Sequence, residues 1–190
     1  HPPPFRPEQT ASPVLLTCRH PEEGGEKSFA DPQKRHSAFS PLIPYAAAID
    51  IEIAHAEEMG KTLEEARSTG IQIVLSAHDF KGTPETQQLQ SLVNTGFQQL
   101  ADVVKIATTT EQAKDVSRLL QLFDFFDSHN LALMGMGRLG MASRLLAAQC
   151  GSVLNYSSLH SATVPGQWQT SEFRSILNVV EESRSPVNLQ

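Results

Sequence analysis

The sequence predicts an α/β domain built on a parallel sheet, and two observations carry that prediction. A short apolar run recurs six times, at 14–18, 47–53, 71–76, 102–107, 131–136 and 152–157. Runs rich in Val, Ile and Leu and bounded by turn residues read as strands buried on both faces. A longer segment with mostly helical patterning follows each run, near 35–46, 56–69, 85–100, 111–128, 138–150 and 171–183. Strands alternating with helices imply parallel pairing through right-handed crossovers. Six βα units fit either an open doubly wound sheet or part of an eight-stranded βα barrel. In both architectures ligands bind at the C-terminal ends of the strands.

Residues 1–13 contain Pro2, Pro3, Pro4, Pro7 and Pro13. Such a segment is short of backbone donors and apolar periodicity, so an extended arm is expected there. Residues 14–190 are expected to form a single domain, since a chain of 190 residues is long enough for one real core. Gly70 follows Ala66-Arg-Ser-Thr69 and suits the position just past a helix end. Thr83-Pro84 before Glu85 reads as an N-cap with proline at the first helical position. Leu89, Leu92, Val93, Phe97 and Leu100 form one apolar face on the helix 85–100. Ala113, Val116, Leu119, Leu120 and Phe123 do the same on 111–128.

Composition narrows the function classes. Hydrophobic content of 39% with 19% charged residues is that of a soluble globular protein. A net charge of −6 argues against binding along a phosphate backbone. Cys18 and Cys150 are far apart in apolar contexts, which suggests reduced thiols and a cytoplasmic location rather than a disulfide framework. No apolar run is long enough to cross a membrane, and no signal-peptide pattern opens the chain.

Polar residues at the strand ends are the candidates for chemistry. Lys105 lies inside the apolar run Ala101-Asp-Val-Val-Lys-Ile-Ala107. A lysine there must pair its ammonium, give up its proton, or snorkel to solvent. An amine with a depressed pKa is the kind that forms Schiff bases with carbonyl compounds. His78 follows Val74-Leu-Ser76 and occupies the same relative place one βα unit earlier. It is either a structural histidine or an acid/base partner that neighbouring parallel strands bring to Lys105. The first run ends in Arg19 and continues to Glu22-Glu-Gly-Gly25, and the second gives Ile49-Asp-Ile-Glu-Ile53. The fifth run leads to Ser143-Arg144, and the sixth to Thr163-Val-Pro-Gly-Gln167. The seven histidines are scattered with no metal-ligand spacing, and there is no phosphate loop or dinucleotide fingerprint.

Five stretches together resemble the type I 3-dehydroquinate dehydratases. They are LLTCRHPEEGGE (15–26), LSAHDFKGTP (75–84), ADVVKIA (101–107), MGMGRLGMASRL (134–145) and ATVPGQ (162–167), in the family's order and nearly its spacing. The resemblance covers roughly residues 13–183. It implies dehydration of 3-dehydroquinate to 3-dehydroshikimate in the shikimate or quinate pathway, with no metal or organic cofactor. Lys105 matches the imine-forming lysine and His78 the general acid/base. Glu23 matches the carboxylate that orients the histidine. Arg144 matches the guanidinium that holds the substrate carboxylate, and Arg19 a further arginine near the substrate. Gln167 and Thr163 match the loop that closes over the site. Thr163 stands where the family usually has serine.

The resemblance also implies an incomplete (β/α)8 barrel. The family's segment like 14–26 belongs to its third βα unit, so about six units remain. The first two units carry a serine and a Glu-x-Arg pair that bind substrate hydroxyls. An open barrel leaves strand edges and apolar surface to cover, and a homodimer across the gap is the expected solution. Two other readings compete with a working dehydratase. One is a catalytically impaired homologue acting as a ligand-sensing or interaction module, and the other is a different Schiff-base lyase or aldolase.

Overall fold

The structure, a computed structural model, describes residues 12–159 and 165–182. Most of the proline-rich segment and Thr163 therefore lie outside the described residues. Five strands form one parallel sheet in the order β1-β2-β3-β4-β5: β1 Leu15–Thr17, β2 Ala48–Glu52, β3 Gln72–Asp79, β4 Val103–Thr109 and β5 Leu131–Met136. The helices are α1 Pro32–Phe39, α2 Gly60–Thr69, α3 Thr86–Gln98, α4 Ala113–Phe125, α5 Gly140–Gln149 and α6 Thr170–Glu182. The βα alternation is as the apolar runs predict. The sheet does not close on itself, so the architecture is that of an incomplete βα barrel.

Side chains alternate across each strand, and this alternation sorts core from site. Ile49, Ile51, Ile73, Leu75, Val104, Ile106, Leu131 and Leu133 pack outward against Leu63, Leu89, Val93, Leu119, Leu122 and Ala147 of the helices. On the opposite face Ala48, Val74, Val103, Ala107, Ala132, Met134 and Met136 form a second, smaller apolar cluster with Leu15, Leu154 and Tyr156 against it. Asp50, Glu52, Ser76 and Lys105 interrupt that second face and are buried with it. The helices thus cover a largely apolar layer, while the concave face mixes methyl groups with charge.

Helix ends follow local chemistry. Asp31 Oδ1 accepts from the Gln33 N–H at 2.8 Å and caps α1, with Pro32 at the first position. Gly70 ends α2 in the left-handed region at φ 74°, as its place in the sequence suggests. The start of α3 differs from expectation. Its N-cap is Glu85, in a reciprocal capping box with Gln88. Thr83 instead donates to the Thr109 carbonyl and contacts Thr108 Oγ1, both at 2.9 Å, which ties the loop after β3 to β4.

The sixth apolar run, 152–157, forms no strand, which corrects the sequence reading. Its Val153 N–H does reach the Leu131 carbonyl at 2.9 Å. The next rung is taken by a side chain, because Ser152 Oγ accepts from the Leu133 N–H at 3.1 Å. The Tyr156 carbonyl accepts from Arg144 Nη1 at 2.9 Å. With its ladder positions spent on side chains, the run follows β5 without extending the sheet. A single parallel bridge joins Ser158 to Gln169 beyond it.

Candidate active site

Parallel pairing brings the charged residues of β2, β3 and β4 together. Ser76 pairs in register with Glu52 on one side and Lys105 on the other, and His78 pairs with Ala107. Lys105 is 4% exposed, so its amine is buried. Its Nζ donates to Asp50 Oδ2 at 2.8 Å and sits 4.3 Å from the centre of the Tyr156 ring. Burial pushes the Lys105 pKa down, and the Arg19 and Arg144 charges push the same way. The Asp50 carboxylate opposes them without cancelling the shift. The sequence leaves open whether Lys105 is buried or snorkels to solvent, and the structure places it inside.

Asp50 is itself held by several groups. Burial alone favours its neutral form, but Lys105 and Arg19 outweigh burial and keep it ionised. Arg19 Nη2 lies 3.0 Å from Asp50, while its Nη1 donates to Glu52 Oε1 at 3.1 Å and Ser76 Oγ at 2.7 Å. Ser76 Oγ donates a hydrogen bond to Asp50 Oδ1 at 2.6 Å. Glu52 in turn accepts from the His20 N–H at 2.8 Å and pairs with the wholly buried Arg35 of α1. Arg35 Nε donates to the Cys18 carbonyl at 3.0 Å. A chain of alternating charge therefore runs from Arg35 through Glu52, Arg19 and Asp50 to Lys105. Each member is paired, the condition under which buried charge is tolerated.

His78 meets Glu23 across the gap between β3 and the loop after β1. Glu23 Oε2 lies 2.8 Å from His78 Nδ1 and accepts from the His78 backbone N–H at 2.9 Å. Glu23 ends a 3-10 turn, Pro21–Glu23, which Gly24 stops at φ 92°. Gly25 is required there for a second reason. A Cβ would stand 1.7 Å from the Arg19 carbonyl oxygen, so the turn folds back on its own strand end only with glycine. Burial, with the nearby Lys105 and Arg19 charges, lowers the His78 pKa to about 3. Burial, with the Glu52 charge, raises Glu23 to about 7. At neutral pH the imidazole is therefore uncharged and able to accept a proton. A groove of about 440 Å³ opens beside the pair, lined among others by Glu23, His78, Phe80, Lys81 and Thr108.

Arg144 on α5 is 4% exposed and reaches the same end of the sheet. Its Nε donates to the Gly135 carbonyl at 3.0 Å and its Nη1 to the Tyr156 carbonyl at 2.9 Å. Burial lowers its pKa to about 10, which leaves it a cation at neutral pH. The segment carrying Gln167 packs beside it. The Gly137 N–H donates to the Pro165 carbonyl at 2.9 Å, and Trp168 Nε1 donates to the Met141 carbonyl at 2.8 Å. Gly166 has φ 80°, and a Cβ on it would stand 2.4 Å from the Gly137 carbonyl oxygen. Gln167 is half-buried on this turn.

The structure thus gathers Lys105, His78, Glu23, Arg19 and Arg144 at the C-terminal ends of the strands, with Gln167 on the adjoining turn. The sequence reading gives no role to Asp50, Glu52, Arg35 or Tyr156. Its available signal is the pattern Ile49-Asp-Ile-Glu-Ile53, two acids inside a strand that is buried at every position. Tyr156 Oη is buried without a hydrogen-bond partner among the described residues, and its ring covers the amine.

Comparison with known proteins places the chain in a family. A family model described as type I 3-dehydroquinase matches residues 5–184. The 3-dehydroquinate dehydratase of Enterococcus faecalis is 32% identical over 179 residues, covering 90% of this chain and 70% of that protein. The crystal structure of 3-dehydroquinate dehydratase from Geobacillus kaustophilus superposes with a TM-score of 0.84 at 24% identity, over 92% of this chain and 69% of that one. The type I 3-dehydroquinate dehydratase of Clostridium difficile, solved with covalently modified comenic acid, gives a TM-score of 0.81 at 28% identity, over 90% of this chain and 70% of that one. The chain belongs to the type I 3-dehydroquinase family.

Proposed function

We propose that the chain dehydrates 3-dehydroquinate to 3-dehydroshikimate through an imine on Lys105. The observation that carries this reading is the buried Lys105 amine, held by Asp50 on the same face of the sheet as a neutral histidine. In its unprotonated form Lys105 attacks the ketone carbon, and water leaves as the protonated imine forms. The imine is an electron sink that acidifies the adjacent C–H. Neutral His78 takes that proton through Nε2, while Glu23 holds Nδ1 and steadies the imidazolium. The electron pair then expels the hydroxyl, which leaves as water with the proton returned from His78. Hydrolysis of the imine frees Lys105 and the enone.

The remaining residues bind and exclude. The Arg144 cation takes the substrate carboxylate. Arg19, with its guanidinium engaged by Asp50, Glu52 and Ser76, sets the field around the amine and contacts substrate from the rim. Gln167 and Thr163 close over the imine and keep water from it. The assembled protein is a homodimer that covers an edge of the open sheet.

The test is conversion of 3-dehydroquinate by the purified chain, followed by formation of the conjugated product. Turnover that Lys105→Met abolishes is the expected result. Saturable binding of 3-dehydroquinate without product would overturn the enzyme reading in favour of a ligand-binding module.

A further inference from the structure

The loops after β1 and β2 bring three ligand-capable side chains together outside the chemistry just described. His20 caps the 3-10 turn that contains Glu22, and His55 ends the 3-10 turn Ile53–His55 that follows β2. Because β1 and β2 are parallel neighbours, these loops meet at one rim. One ring nitrogen from each histidine and one Glu22 oxygen all lie within 4.8 Å of one another. The two imidazoles are in contact, with centroids 3.6 Å apart and planes tilted by 31°.

His55 is prepared for a ligand by its other partners. Its Nδ1 lies 2.7 Å from Glu58 Oε1, and a proton shared there leaves the lone pair on Nε2. That Nε2 is buried and has no hydrogen-bond partner among the described residues. The Glu22 carboxylate stands 3.5 Å from it. His20, 7% exposed, is held only loosely, since its Nδ1 accepts a long 3.3 Å bond from the Glu22 N–H. A buried lone pair facing a second imidazole and a carboxylate is satisfied by a cation that takes nitrogen donors.

We propose that His20, Glu22 and His55 form a binding site for a late first-row divalent metal ion, zinc foremost. Two imidazoles and one carboxylate suit zinc, whereas calcium and magnesium prefer all-oxygen sites. Three protein ligands leave a fourth position to water, and Glu58 supplies the outer carboxylate that orients His55. The bound ion links the turn that carries Glu23 to the loop after β2. No sequence spacing announces the site, because its members meet only through the pairing of two strands. It uses none of Lys105, His78 or Arg144, so it stands or falls independently of the proposed dehydration.

The test is titration of the untagged, chelator-stripped full chain with Zn²⁺ by calorimetry, alongside Mg²⁺ and Ca²⁺. One saturable Zn²⁺ equivalent is expected, with micromolar or tighter affinity and no comparable heat from the other two ions. His55→Gln is expected to weaken binding at least ~10-fold, from the scale of single-group effects at metal sites. Glu22→Ala is expected to weaken binding in the same direction, and Glu22 is exposed enough for the fold to survive its loss. His129→Gln, which alters a ring packed on Phe97 and Phe126, should leave binding unchanged. Zn²⁺ at a hundredfold excess over its Kd should raise the wild-type Tm by about 5 °C or more, and that of His55→Gln much less. Absence of saturable Zn²⁺ binding, binding retained in both Glu22→Ala and His55→Gln, or equal binding of Mg²⁺ would overturn the proposal.

Discussion

Lys105 keeps its amine inside the protein because its charge is shared rather than isolated. The partners are spread over four elements: Asp50 and Glu52 on β2, Ser76 on β3, Arg19 after β1 and Arg35 on α1. The anomaly of a lysine in an apolar strand was legible from the sequence, as were His78, Glu23 and Arg144 through their motifs. The charge chain was not, because which acid meets which base depends on strand register, and no local pattern encodes it. The Glu23–His78 pair predicts opposing pH limbs. Glu23 titrates near 7 in the folded protein against 4.5 for the free group, so its contribution to stability is complete below about 4.5 and is lost as pH rises through 7. His78 falls from 6.5 to about 3 on folding, so its contribution is present above about 6.5 and is lost as pH falls toward 3. Urea denaturation of Glu23→Gln should therefore show less loss of stability between pH 5 and pH 8 than the wild type. An unchanged pH slope would contradict the raised Glu23 pKa.

The elements that position these residues were mostly visible in the sequence for a physical reason. Strands covered on one face by helices and on the other by the concave cluster read as continuous apolar runs, and five of the six runs are strands. Residues 152–157, Ser-Val-Leu-Asn-Tyr-Ser, are half polar, and Ser152 sets its hydroxyl where a ladder group would stand, which the three apolar residues of the run do not reveal. Thr83-Pro84 carries a plausible cap signal, yet Thr83 is drawn to the end of β4 and the helix begins later with Glu85 as its cap. The turn 165–167 is held against the start of α5 by backbone contacts that only glycine permits. Gly166→Ala would meet both a left-handed φ and the Gly137 carbonyl. It is expected to displace Gln167 and lower kcat/KM by on the order of tenfold or more. Steady-state kinetics with a melting curve would check this, and unchanged kcat/KM in a folded variant would remove Gln167 from the closing loop.

The described residues form one sheet with β1 and β5 at its edges. No helix among the described residues is long and apolar enough to cross a membrane. The concave face carries Leu15, Leu154 and Tyr156 only partly buried. An exposed parallel edge and partly covered apolar groups are normally masked by another chain or segment. Sedimentation equilibrium at micromolar concentration is expected to give twice the chain mass, and a monomer there would contradict the proposed homodimer.

Borohydride trapping separates an imine on Lys105 from every other role for the buried amine. The chain, Lys105→Met and His78→Asn are each incubated with 3-dehydroquinate and reductant, and the adduct is located by peptide mass. Lys105→Met leaves Asp50 paired with Arg19 and Ser76, so the variant retains partners for the acid it exposes. A reduced adduct is expected on Lys105 in the unmodified chain and none in Lys105→Met. In His78→Asn an adduct is expected with product formation slowed by roughly 10²–10⁴-fold. No adduct on Lys105 at saturating 3-dehydroquinate, or an adduct on another lysine with turnover intact in Lys105→Met, would contradict the imine on Lys105.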